Sequence, residues 1–120
     1  MVEDDDALRG LYRTTLSLAG YLVDEASDGL VALNAIDNNP PDLVILDLML
    51  PTVSGFVVQQ DIAARTRTRE IPVEIVTGTD DVLPDNLGVA CVLRKPVTPD
   101  QVLAVVKLCL RSAEEAAGGV

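Results

Sequence analysis

The chain has 120 residues, 48% of them apolar, and a formal charge of −10. That length suits one domain with a single core, and the charge opposes non-specific nucleic-acid binding, which needs a basic face. No run approaches the ~18 consecutive apolar residues of a membrane span, and the opening MVEDDD places acids where a signal peptide carries positive charge.

With one Phe, two Tyr and no Trp, the chain has no base-stacking platform. Cys91 and Cys109 lie in apolar surroundings and read as small core residues of a reduced, cytosolic protein. With no histidine and no third cysteine, they lack partners for a metal site. Arg65, Arg67 and Arg69 form the only basic cluster, and a solvated helix end explains them better than a phosphate-backbone contact.

Met1 and Val2 read as the end of a short first strand, followed at once by Glu3, Asp4, Asp5 and Asp6. A helix N-terminus, where the macrodipole favours negative charge, accounts for Asp5 and Asp6. It accounts less well for Glu3 and Asp4, which fall at the strand-to-helix turn; clustered hard oxygens there point to Mg²⁺ or Ca²⁺. The first strand is brief enough that apolar residues upstream of it are expected to be missing.

Ala7 to Ala19 reads as a helix with Leu8, Leu11, Tyr12, Thr15 and Ala19 on one face, stopped by Gly20. Tyr21 to Ala26 reads as a second strand, and Asp28 as a cap for a helix from Leu30 to Asp37 with Leu30, Leu33 and Ile36 inward. Asn38-Asn39-Pro40-Pro41 ends that helix.

The unbroken apolar run Leu43-Val44-Ile45-Leu46 suits a parallel strand buried on both faces. It stops at Asp47, which is expected at the strand's carboxyl end; the bland alternative is an Asp that merely ends a strand in a turn. Pro51 and Gly55 turn the chain, and Phe56 to Ala64 reads as a helix with Val58 and Ile62 inward.

Ile71 to Thr77 reads as a fourth strand ending in a hydroxyl. Gly78 to Gly88 leaves room for only a turn or two of helix. Val89 to Arg94 reads as a fifth strand, followed by Lys95-Pro96. Thr98-Pro99-Asp100-Gln101 opens the last helix, with Thr98 as N-cap, Pro99 at the first position and Gln101 completing a capping box. Its apolar stripe is Val102, Val105, Val106, Cys109 and Leu110, and residues 113–120 are expected to be a disordered or frayed tail after a domain spanning 1–112.

Five strands alternating with five helical segments mean an α/β fold with parallel strands and right-handed crossovers. All the carboxyl ends then meet at one edge, where such sheets bind ligands. That edge receives Glu3 and Asp4, Asp47, Thr77 and Lys95. Three anions in one place need a cation, and Mg²⁺ is the default for carboxylates. Metal and lysine together can neutralise a phosphoryl group, Thr77 can hydrogen-bond to it, and Asp47 can act as nucleophile toward phosphorus. Taken singly, Thr77 is an ordinary strand end and Lys95 a surface lysine; the coincidence of polar types at successive strand ends is what favours a site.

The motifs VEDD at Val2 to Asp5, VILDLMLPTVSG at Val44 to Gly55, EIVTG at Glu74 to Gly78 and LRKPV at Leu93 to Val97 together resemble a two-component response-regulator receiver domain of the chemotaxis-receiver type, over Val2 to Ser112. The resemblance implies a flavodoxin-like (βα)5 three-layer sandwich with strand order 2-1-3-4-5, here with a clipped first strand and a shortened fourth helix. It implies Asp47 as phosphoacceptor, Glu3, Asp4, Asp47 and the Met49 carbonyl as the Mg²⁺ site, Thr77 as switch hydroxyl and Lys95 as the family's lysine, with Pro96 in cis. Met49 and Thr79 would flank the site. The partners implied are a sensor histidine kinase or phosphotransfer protein and a downstream protein target or homodimer in the cytoplasm, with no direct nucleic-acid or membrane contact.

Such a module is no conventional enzyme; Mg²⁺-dependent self-phosphorylation and autodephosphorylation at Asp47 are expected. The chain departs from the family at Val92, where an aromatic switch residue usually stands three residues before the lysine. That departure and the short fourth helix favour, as alternative, a pseudo-receiver or dimerising scaffold without phosphoryl turnover. An FMN carrier would need a phosphate loop where Glu3 to Asp6 stand, and a haloacid-dehalogenase-type hydrolase would need a second acid at Met49.

Overall fold

The computed structural model describes residues 1–78 and 91–118, with backbone only from 114 onward. Four helices and three strands follow in the order α1 (Asp6–Leu18), α2 (Gly29–Asn38), β1 (Val44–Leu46), α3 (Gly55–Ala64), β2 (Val73–Thr77), β3 (Cys91–Arg94) and α4 (Pro99–Gly118). The strands are parallel in the order β1-β2-β3. The expected fourth helix and Thr79 lie outside the described residues.

The two strands expected ahead of β1 are reduced to isolated parallel bridges, from Val2 to Ala26 on one side and to Leu46 on the other. The backbone bonds of a ladder are present: the Val2 N–H donates to Ile45 (2.7 Å), Asp47 N–H to Val2 (3.0 Å), Glu3 N–H to Ala26 (3.1 Å) and Ala26 N–H to Met1 (2.9 Å). The spatial order is therefore the expected 2-1-3-4-5, with the first two members one pairing long. The reason is local. The acids begin at Glu3, directly after the one paired residue, and the Met1 amine donates to the Asp24 carbonyl at 2.8 Å. Burial holds that amine below its usual pKa, against the pull of Asp24 and Glu25.

One core layer packs Leu46, Val73 and Ile75 against Ala32 and Ile36 of α2 and Val58 and Ile62 of α3. The other packs Ile45 and Val76 against Tyr12 and Leu16 of α1 and Val102 and Val106 of α4. Helices thus cover both faces, as a parallel sheet requires. Among the described residues no helix is long and apolar enough to cross a membrane.

The helix ends follow their sequence signals. Asp5 caps α1 by accepting from the Leu8 N–H, and Asp28 caps α2 by accepting from Val31. At Gly20, φ is +99°, and the N–H groups of Gly20 and Tyr21 donate back to Ser17 (3.0 Å) and Leu16 (3.1 Å). That reciprocal pair is the glycine-terminated helix end the residue type favours. Thr98 and Gln101 form the capping box in both directions, at 2.8 and 3.1 Å.

Three expectations are corrected. On α1 the buried face runs through Leu8, Tyr12 and Leu16; Leu11 is 54% exposed and Ala19 is exposed, because i, i+4, i+8 points at the sheet. On α2 Leu33 and Ile36 pack inward as expected, joined by the buried Gly29 and Ala32, but Leu30 is turned to solvent. The backbone of α4 stays helical to Gly118, into the segment expected to fray. Arg65 closes α3 and pairs with Asp61 (3.0 Å) and Asp37 (3.1 Å), so the basic cluster is partly neutralised at a helix end.

Candidate phosphoryl-acceptor and metal site

Asp47 follows β1 directly. It is 4% exposed although the strand before it is apolar, because its backbone stays in the ladder with Val2 while the chain bends. The Met49 N–H donates to Asp47 Oδ1 at 2.9 Å, leaving Oδ2 to face across the edge. The loop then folds tightly back. The Gly55 N–H donates to the Leu48 carbonyl at 2.9 Å, and a Cβ on Gly55 would collide with the Asp47 carbonyl and Leu48 Cα. A glycine is therefore required there by proximity. Within this loop Thr52 has φ +63°, a conformation that costs a β-branched residue on the order of 1–3 kcal/mol.

The ladder past Val2 delivers Glu3 and Asp4 to the same edge. Glu3 is 2% exposed, whereas Asp4 is open to solvent. Carboxylate oxygens of Glu3, Asp4 and Asp47 lie within 4.8 Å of one another, the one such group of potential metal ligands among the described residues. From the far side Lys95 Nζ reaches Glu3 Oε1 and Asp47 Oδ2, both at 3.0 Å. Lys95 is placed by its own N–H, which donates to the Thr77 carbonyl at 2.6 Å, and the Lys95-Pro96 bond is cis. Thr77 is fully buried at the end of β2. Val92 is 40% exposed on β3.

The electrostatics follow from this packing. Burial raises the Glu3 pKa from 4.5 to about 7, helped by a hydrogen bond with Asp47 and opposed by Lys95. Burial disfavours the Lys95 charge, but its hydrogen bonds with Asp47 and Glu3 outweigh that and hold the ammonium above its ordinary range. Lys95 thus serves as counterion to two buried carboxylates, whose desolvation would otherwise be costly. Hard oxygen donors of this kind suit a divalent metal, and Asp4 leaves one side of the cluster accessible.

Two contributors were not among the expected site residues: Arg9, which no motif singled out, and Tyr12, expected only on the apolar face of α1. Arg9 donates through Nη1 to the Glu3 carbonyl at 2.9 Å and so fixes the turn that carries the acids. Tyr12 lies beneath the site; its hydroxyl pKa is raised by burial, then by the Glu3 charge. Helical spacing from Asp5 places Arg9 one turn and Tyr12 two turns above the cap on the same side, which is the signal that could have found them.

The model of the response regulator receiver domain matches residues 1–107. The chain is 36% identical over 118 residues to the DNA-binding dual master transcriptional regulator RpaA of Synechocystis, covering 95% of this chain and 49% of that protein. It is also 36% identical over 115 residues to the response regulator MprA of a Mycobacterium, covering 92% and 49%. The chain therefore spans about half the length of the curated relatives it matches. Among solved structures, a CheY-like response regulator receiver domain protein of Methanospirillum hungatei superposes with a TM-score of 0.86 at 25% identity, covering 96% of this chain and 94% of that one. With its parallel sheet, its acidic edge and these likenesses, the chain belongs to the receiver domains of two-component response regulators.

Proposed function

We propose that this domain accepts a phosphoryl group on Asp47 from a phosphohistidine of a sensor kinase or phosphotransfer protein, in the presence of Mg²⁺. The observation that supports it best is Lys95 Nζ at 3.0 Å from both Glu3 and Asp47 in a cluster that also includes Asp4. Glu3, Asp4, Asp47 and the Met49 carbonyl would hold the ion. Mg²⁺, when bound, supplies charge neutralisation to the phosphoryl oxygens.

The chain's own groups do the rest. The Met49 N–H pins Asp47 Oδ1, which orients Oδ2 toward the open edge as the attacking atom. In the transfer, an oxygen–phosphorus bond forms at Asp47 while the phosphorus–nitrogen bond of the donor breaks, and the departing imidazole takes a proton. Lys95 moves from the Asp47 carboxylate to a phosphoryl oxygen, since the acyl phosphate leaves Asp47 without its own charge. Thr77, at the adjacent strand end, donates its hydroxyl to the same group. The shift of Lys95 and Thr77 biases a two-state equilibrium read by a partner protein or a second copy.

Cytoplasmic location and action through protein contact belong to the same reading. Two relatives are named as transcriptional regulators, one of them as DNA-binding; for this acidic domain we keep protein contact as the output. Intact-mass measurement after acetyl phosphate and Mg²⁺ tests the function. One added phosphoryl group, lost in Asp47→Asn and on chelation, is expected; an unchanged mass would refute it and leave a scaffold.

A further inference from the structure

Glu74 stands in the middle of the sheet with 0% exposure, and neither carboxyl oxygen has a hydrogen-bond partner among the described residues. It shares a face of β2 with Val76, the face covered by α1 and α4. The register of β2 and β3 sets Cys91 beside it. From above, α4 brings down Cys109, 3% exposed. The Cys109 thiol is pushed up to about 12 by burial, then by a hydrogen bond with the Cys91 thiol, and by the charges of Cys91 and Glu74. Both sulfurs are free thiols, and both line a cavity of about 300 Å³ whose rim includes Glu70, Pro72, Leu108 and Ser112.

Two thiols that line one cavity from facing elements, a buried carboxyl without a partner, and the partial exposure of Cys91 form a cluster that the phosphoryl site does not use. A metal suits it poorly: the ligand atoms that converge within 4.8 Å, among the described residues, are those of Glu3, Asp4 and Asp47 instead. We propose that Cys91 and Cys109 are a reversible oxidation site, closed to a disulfide by a small hydroperoxide, with Glu74 as the base that serves the buried thiol.

Cys91 is partly exposed and reacts first. Its sulfur, as thiolate, attacks one peroxide oxygen; the O–O bond breaks, Cys91 becomes a sulfenic acid, and the alcohol or water leaves with the proton Cys91 gave up. The Cys109 thiol then passes its proton to the Glu74 carboxylate, and its sulfur attacks that of Cys91. The S–S bond forms as the S–O bond breaks, and the departing hydroxide takes the proton from Glu74 as water. Two thiols and one hydroperoxide give one disulfide, one alcohol (water, if the oxidant is hydrogen peroxide) and one water. An external thiol reverses the bond by exchange. The disulfide would tie α4 to β3 four residues before Lys95.

The test uses the reduced full chain, equimolar hydrogen peroxide and denaturing alkylation. The expected result is a mass lower by two hydrogens, loss of both alkylation sites, one intrachain peptide joining Cys91 and Cys109, and full recovery with dithiothreitol. In Cys109→Ser, dimedone should trap a sulfenic acid at Cys91. In Glu74→Gln, the first oxidation should proceed and ring closure should slow by about tenfold or more. Two alkylatable thiols after peroxide, a disulfide between chains, or sulfenic acid at Cys109 alone would each overturn the proposal. These readouts need no phosphorylation and stand apart from the function of Asp47.

Discussion

Glu3 and Glu74 are both buried in the sheet, 2% and 0% exposed, yet Glu3 has an ammonium at 3.0 Å and Glu74 has no hydrogen-bond partner among the described residues. Both are pushed up by burial, to about 7 and about 8. The difference lies in what faces them. At the carboxyl edge the sheet opens, and Glu3 and Asp47 share one lysine beside the solvent-exposed Asp4. Beneath α4 the sheet is closed, and Glu74 is set beside Cys91 in the strand register, with Cys109 of α4 buried over the same face. A buried acid with a cation is poised to exchange that cation for a ligand; one without is poised to hold or take a proton.

The largest effect should come from making Glu3 resemble Glu74. Lys95→Met leaves two buried carboxylates without their counterion and should lower stability by about 3–5 kcal/mol in metal-free buffer, read by denaturant titration. Adding Mg²⁺ should restore part of that loss by linkage. A variant as stable as the parent would show that Lys95 is not the cluster's counterion.

Next comes Glu74 itself. Its carboxyl ionises near 4.5 in the unfolded chain and about 8 in the folded one. Below 4.5 both states are protonated and nothing is lost; as pH rises toward 8 only the unfolded chain gives up the proton, so folding is progressively disfavoured. Across that window the cost approaches at most about 5 kcal/mol. Glu74→Gln should therefore gain stability relative to the parent as pH rises from 5 to 8, with little difference at the acid end. A difference that does not change with pH would contradict the burial of an unpaired acid.

A smaller effect is expected where the loop presses on Asp47. Gly55→Ala forces its methyl against the Asp47 carbonyl and Leu48; it should cost about 1–3 kcal/mol and slow phosphorylation, with Asp47 displaced from its place beside Lys95. Unchanged thermal stability would contradict the close approach. Smallest is Thr52→Gly, which relieves the positive φ and should stabilise by about 0.5–1 kcal/mol in the same assay.

Much of this was legible from local chemistry. The run before Asp47, the capping box of Thr98 and Gln101, and the Gly20 stop are short-range signals, and each was found where residue type and spacing placed it. The polar strand ends were legible because parallel topology carries them to one edge. What escaped was set by tertiary geometry. The angle at which α1 meets the sheet chose Leu16 over Leu11, and no periodicity distinguishes two adjacent apolar faces. The pairing of Cys91 with Glu74 depends on strand register, and its closure by Cys109 on the seating of α4. Neither is encoded in spacing along the chain.

The most direct measurement is the location of the phosphoryl group. Protein labelled with acetyl phosphate and Mg²⁺, then reduced with borohydride, converts an aspartyl phosphate to homoserine that peptide mass mapping can place. The account predicts homoserine at position 47 and nowhere else, and no conversion when Mg²⁺ is withheld. Conversion at Asp4 or another acid, or none with Mg²⁺ present, would contradict it.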